Sequence, residues 1–375
     1  KNSSGVRGMK DVLFILLPII LHHCYLRMAT AMRNPKDSMT STWRSWDRSQ
    51  WNAGHWLLEV LNVHHVELDQ EVPVHQKAEK VPYAPELQFH RWVLIHASLP
   101  LILHQLYIKY FGHPSALLAF VFYSLALEFI AVHETHILRR VGHSIGFFDG
   151  DKHARDGVPD VGVGKTVKSL LSVIALRPML AVFLAYRADE GPSSIRWGWL
   201  IFETGMYALV LDFWYYIFHR SAHETEHLWK FHRTHHLTKH PNPLLTSYAD
   251  TVQEFIDIVG TPLITYGTMK LMGFPLGFYE LWICQQYVVF TEVLGHSGLR
   301  MLATAVNPWT WLLRVCDMEL VIEDHDLHHR KGWRNSHNYG KQTRVWDRLF
   351  NTSIPRVEGH RDNIDYVNVA KIPLL

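Results

Sequence analysis

Sulfur is scarce in this chain. Its three cysteines, Cys24, Cys284 and Cys316, lie far apart and form no CxxC pair, which excludes a disulfide framework and a thiolate metal site. Charge is scarce too: 19% of the 375 residues are Asp, Glu, Lys or Arg, and the net charge is +2. That balance, with no basic stripe carrying interleaved aromatics, excludes a nucleic-acid partner. No long stretch is cleanly apolar, since His96, His104, Arg177, Glu203 and Asp212 interrupt the apolar blocks. Metal chemistry, if present, must rest on imidazole and carboxylate.

What remains is rich in aromatics, 13% with 14 Trp, and in histidine, 27 residues. The apolar residues come in paired blocks. Residues 92–111 and 115–132 are joined by Gly112-His113-Pro114, and 167–186 and 197–218 by the acidic stretch 188–194. Residues 255–272 and 276–294 are joined through Gly273-Phe274-Pro275. Each block is near the length of about 20 residues that crosses a bilayer. The pattern predicts an all-α transmembrane bundle of six spans in three hairpins. The connections between pairs carry Arg139, Arg140, Lys152, Arg155, Lys165 and Lys168, then Arg220, Lys230, Arg233 and Lys239; Arg300, Arg314, Arg330, Lys331 and Arg334 follow the last pair. By the positive-inside rule that side is cytoplasmic.

Four regions are expected: a polar, interfacial 1–90, spans and a basic loop over 91–198, a catalytic domain over 199–355, and a tail over 356–375. The chain opens on Lys1 rather than Met, as a processed or truncated chain does. The ten-residue apolar run Val12–Leu21 is short for a span and reads as an interfacial or signal-anchor segment. Trp43, Trp46, Trp51 and Trp56, scattered among charged residues, are expected at headgroup level.

The stretch His219–His236 holds six histidines in eighteen residues. His219 and His223 are four apart, and His232, His235 and His236 follow as HxxHH; His325, His328 and His329 repeat that spacing downstream. Side chains three and four apart share a helix face, so the three rows can converge on metal, and all fall on the basic side. His296, closing the last apolar block, faces the same compartment. Nine candidate ligands exceed what one octahedral ion accepts, which implies a cap holding a dinuclear site. Imidazole-rich sites suit Fe, Cu, Zn or Ni, and a pair of irons beside a membrane fits oxygen chemistry on lipophilic molecules. Asp212, two helical turns before His219, is expected to support a ligating imidazole. Asp324 and Asp326 flank the last row.

These residues resemble the fatty acid hydroxylase / sterol desaturase superfamily of integral membrane di-iron enzymes, over roughly residues 200–355. The likeness rests on the HxxxH, HxxHH and final HxxHH boxes, on Asp212 with Tyr216 ahead of His219-Arg220, and on Leu228-Trp229. Gly295-His296-Ser297-Gly298, Asn338-Tyr339-Gly340 and Trp346-Asp347 through Phe350 complete it. The resemblance implies two Fe ions held by the nine histidines, O2 as co-substrate, and hydroxylation or desaturation of an unactivated C–H bond in a lipid, sterol or similar lipophilic metabolite. It adds Glu292, four before His296, to Asp212, Asp324 and Asp326 as candidate supporting carboxylates. Ala249-Asp250-Thr251 stands where family members often carry His-Pro, so Asp250 is a candidate to coordinate, to orient a ligand, or to alter the site. Asn351 falls where a glycine is common. No HPGG haem signature is present, which implies an electron donor in trans such as cytochrome b5 and its reductase. The setting implied is the endoplasmic reticulum membrane, with the metal site on the cytoplasmic face. Two other readings stay open: a zinc-dependent membrane enzyme or lyase on the same scaffold, and a metal-handling transport protein, favoured only by His96, His104, His133 and His136.

Overall fold

The computed structural model describes residues 34–375; Cys24 and the Val12–Leu21 run lie outside the described residues. Within Lys1–Ser38, a separate unit, the described part is the turn Pro35–Asp37, capped by the Asn34 side chain. Met39–Leu375 forms one compact unit, almost entirely helical.

All six apolar blocks fold as helix. After a short α1 (Ala53–Leu61) come α2 (Glu86–Phe111), α3 (Ala116–Ile145), α4 (Val163–Ala185) and α5 (Trp197–Glu224). The turn between α2 and α3 uses Gly112 at φ 82°, a conformation only glycine adopts without strain. A short α6 (Glu226–His232) follows, then α7 (Thr251–Phe255), a π turn at Ile256–Gly260 and α8 (Thr261–Leu271) as one continuous rod. The chain ends through α9 (Phe278–Gly295), α10 (Thr310–Val315), α11 (Ile322–Lys331) and α12 (Val345–Leu349).

These helices differ in what they face. The most apolar windows of α3 and α4 are only 22% and 28% buried, and these two helices are long and apolar enough to cross a membrane. Leu117, Val121, Leu125 and Phe129 on α3 and Leu171, Met179 and Phe183 on α4 point outward, an apolar surface of the kind that monomeric soluble proteins keep small. By contrast α9 is buried on every face, its Glu280, Gln285, Gln286 and Glu292 included, and packs against α2, α3, α4 and α5, as a helix with no solvated face must when it is not in lipid. It is the axis of the core.

The tryptophans near the N-terminus depart from expectation. Trp43 and Trp51 are 1% and 9% exposed and build a second core with Leu58, Val158, Leu245 and Tyr248. Trp43 is fixed there because its indole donates to the Val158 carbonyl at 3.0 Å while Asp160 accepts from its backbone N–H. Trp56 is exposed. The C-terminal segment is also pinned: β2 (Ile364–Asp365) pairs in parallel with β1 (Val81–Pro82), and Arg300 bonds Glu358 at 2.8 Å.

Candidate metal centre

The nine histidines converge as two groups. His219, His223, His232, His236 and His328 form one, and His235, His296, His325 and His329 the other; within each, the ligand nitrogens lie within 4.8 Å of one another. The groups adjoin, with the His236 and His329 rings stacked at 4.9 Å. All nine are 5% exposed or less.

Local geometry explains the sorting. His219 and His223 sit one turn apart at the end of α5. The expected helix through His232, His235 and His236 does not run on: α6 stops at His232, and His235–Leu237 is a tighter 3-10 turn. This turn sends His236 to join His232 and aims His235 at the other group. On α11, His325 and His329 share a face and serve the four-histidine group, while His328 points into the five-histidine group. Each HxxHH box therefore feeds both groups. His296, just past the end of α9, completes the second.

Six of the nine outer ring nitrogens are held by oxygen acceptors, five of them backbone carbonyls, whereas Nδ1 of His236 and His325 has no partner. His219 Nδ1 donates to the Tyr339 carbonyl at 2.6 Å, His223 to Trp333 at 2.7 Å, His328 to His337 at 2.6 Å, His296 to Glu292 at 2.7 Å and His329 to Thr238 at 3.0 Å. His232 donates to Gln253 Oε1 at 2.5 Å. A proton placed on Nδ1 leaves Nε2 with its lone pair, so the lone pairs of His223 and His232 face each other. Nε2–Nε2 separations are 3.0 Å for His223–His232, His232–His236 and His236–His328, and 2.9 Å for His296–His325. His219 and His329 leave Nε2 with no hydrogen-bond partner. The cluster is not charged at neutral pH, because burial holds seven of these imidazoles well below their ordinary pKa and His223 and His296 at about 4. Neutral imidazoles converging on shared points fit metal cations and little else.

No candidate carboxylate is in either group. Asp212 does not touch His219. It accepts from the backbone N–H of Lys341, Gln342 and Thr343 at 2.8, 2.9 and 3.1 Å and from the Thr343 hydroxyl at 2.7 Å. It thus fixes the loop whose Tyr339 carbonyl orients His219. Asp324 caps α11 through the Val321 N–H and pairs with Arg356 at 2.9 Å. Asp326 pairs with Arg330 at 2.6 Å, although burial pushes its carboxyl up to about 7. Asp250 pairs with Lys165 at 2.8 Å and accepts from the Thr234 hydroxyl at 2.7 Å, which explains why it lies outside both groups. Glu292 lies between Arg177 at 2.6 Å and Lys341 at 2.9 Å.

Sequence reasoning missed Gln253, which no motif marks, and Asp347, which accepts from the Tyr339 and Gly340 N–H groups at 2.8 Å each and clamps the same loop as Asp212. The Trp346-Asp347 signature was the available signal. His227 is exposed and His240 lies near Asp149. His96, His133 and His136 bond backbone carbonyls and His104 the Tyr123 hydroxyl; none joins a metal-binding group among the described residues.

A cavity reaches His235 and His296 and is otherwise lined by Arg177, Tyr215, Glu254, Asp257, Glu292 and Lys341 among others. It shares Val173, Arg177, Thr246 and Glu292 with an apolar groove formed by Leu127, Ala131, Ile174, Val289 and Val293 of α3, α4 and α9.

The fatty acid hydroxylase family model matches residues 204–352. Fatty acid hydroxylase vlmA of Lecanicillium sp is 42% identical over 310 residues, 78% of this chain and 84% of that protein. Alkylglycerol monooxygenase of Xenopus tropicalis is 26% identical over 210 residues, 54% of this chain and 42% of its own. Methylsterol monooxygenase 1 of Danio rerio is 27% identical over 157 residues, 42% and 48% of the two chains. No solved structure matches the chain.

Proposed function

Since the chain belongs to the fatty acid hydroxylase / sterol desaturase superfamily, we propose that it is an integral membrane, O2-dependent monooxygenase that hydroxylates an unactivated C–H position of a lipid through a di-iron centre. The observation that carries this reading is the convergence of nine neutral imidazoles as two adjoining groups. The five-histidine group and the four-histidine group would each hold one iron. Bound there, the pair would supply O2 activation and removal of hydrogen from carbon.

The protein's own part is placement. Backbone carbonyls and Gln253 fix the tautomer and aim of six of the imidazoles. The cavity touches His235 and His296 but no member of the five-histidine group, so substrate meets the four-histidine side. The apolar groove between α3, α4 and α9 suits an aliphatic chain and opens on the two helices with outward apolar faces. Desaturation would use the same first hydrogen removal. Electrons would come from a donor in trans such as cytochrome b5 with its reductase, on the cytoplasmic face of the endoplasmic reticulum. Four imidazoles in one group also suit tetrahedral zinc, which keeps a zinc enzyme as the second reading.

Metal analysis of the detergent-purified chain, with O2 uptake under reduction, tests the proposal. About two irons per chain and lipid-stimulated O2 consumption are expected. Stoichiometric zinc without O2 uptake would replace this reading with the second.

A further inference from the structure

The wall shared by the groove and the metal-side cavity carries polar atoms that nothing satisfies. Arg177 is 7% exposed; its Nη2 bonds Glu292 at 2.6 Å, yet its Nε–H has no partner. In the same cavity Glu254, also 7% exposed, leaves Oε1 unpartnered, and Asp257 on the π turn leaves Oδ1 unpartnered. A π turn inside a helix is often found at a functional site. A buried donor and buried acceptors left open in one cavity are costly unless a ligand or water satisfies them. Asp257 also accepts from Gln253 Nε2 at 3.1 Å and so steadies the amide that holds His232; Arg177 Nε–H and Glu254 Oε1 have no such link to a histidine.

We propose that this wall recognises a neutral polar group on the substrate, a hydroxyl or an N–H amide, which accepts from Arg177 Nε–H and donates to Glu254 while the aliphatic chain lies in the groove. The inference rests on the lipid-oxidation reading above and narrows its substrate class. A free carboxylate is disfavoured: Arg177 is already held by Glu292, and the acid would meet Glu292, Glu254 and Asp257 in one cavity. A bare hydrocarbon end would leave the open donor and acceptors unpaired, the situation in which sites built for a hydroxyl discriminate most strongly.

The test is competition against a fluorescent acyl probe on the detergent-purified full chain, using an alcohol, a primary amide, a free acid and an alkane of one chain length. The alcohol and amide should displace the probe at concentrations at least about tenfold below the acid and the alkane. Glu254→Leu should shrink that ratio several-fold without changing alkane displacement. An acid that matches the alcohol, an alkane that matches it, or a preference undiminished by Glu254→Leu would overturn the inference, as would failure of all four ligands to displace. The wild-type ligand series stands even if the variant misfolds. Iron is assayed on the same samples: absent iron with the preference intact sinks the oxygenase reading alone, and bound iron with O2 uptake but no preference sinks this inference alone.

Discussion

The two histidine groups are built from the same boxes but are supported differently. Around the five-histidine group, three Nδ1 atoms end on carbonyls of one segment, those of Trp333, His337 and Tyr339, and Asp212 and Asp347 clamp the end of that segment. Around the four-histidine group the Glu292 and Thr238 carbonyls, on separate segments, hold His296 and His329, His325 Nδ1 has no partner, and two members border the cavity. Much of one group is buttressed by a single loop; the other has less support on the side that borders the cavity. A site that must admit substrate cannot be enclosed by its own scaffold.

Removing one ligand from each group should expose that difference most strongly. His325→Ala leaves three imidazoles in the four-histidine group, and iron should fall from about two to about one per chain, with turnover reduced by at least ~1000-fold. His219→Ala leaves four donors, so its iron should be retained with affinity weakened about 100-fold. Metal titration with a chelator distinguishes them; equal loss in both would break the comparison.

Acid should act on the metal-free protein next. The unfolded imidazoles take up protons near 6.5, whereas burial keeps those of His223 and His296 uncharged down to about 4 and the other seven lower still. The unfolded state then binds more protons than the native one, so stability is full above about 6.5 and falls as pH drops towards about 4. Urea unfolding of the metal-free chain at pH 7 and pH 5 checks the sign; a flat or opposite trend would mean the imidazoles are not buried neutral.

Asp212 supports only one side of the comparison. Asp212→Asn places an amide where the carboxylate accepts four hydrogen bonds, at a cost of about 2–3 kcal/mol. Because the loop it holds carries the Tyr339 carbonyl, iron should loosen from the five-histidine group and not from the other. Thermal unfolding with metal titration reads both effects. Loosening of both irons equally would make Asp212 a general stability residue.

How much of this was legible follows from what a side chain can announce. The histidine rows were visible because three spaced clusters in one compartment are rare by chance, and their number pointed to two metals. Their sorting was hidden, since it depends on α6 ending at His232 and on the tighter turn at His235. The carbonyls that aim His219, His223 and His328 were equally invisible, because any residue supplies one. Gln253 sits in no motif. For the fold, apolar blocks gave helices in the right places, but composition does not separate a helix facing outward, as α3 does, from one wrapped in protein, as α9 is. Trp43 and Trp51 misled in the same way: a tryptophan in a polar stretch looks interfacial, yet Asp160 and Val158 fix Trp43 in a core and the Trp43 carbonyl fixes Trp51 beside it.

The smallest effect belongs to Asp250, the residue whose position made it a possible carboxylate ligand. Its two oxygens are taken by Lys165 and Thr234, and the ion pair is about one-third exposed on both sides, so solvent screens most of its worth. Asp250→Ala should cost less than about 1 kcal/mol and leave iron stoichiometry unchanged. Thr234 directly precedes His235, however, so freeing its hydroxyl relaxes the tight turn that aims His235 at the four-histidine group. A modest rise in iron off-rate confined to that group, with none at the five-histidine group, is the expected trace. Loss of a whole iron would instead make Asp250 a ligand reached by a rearrangement of its loop.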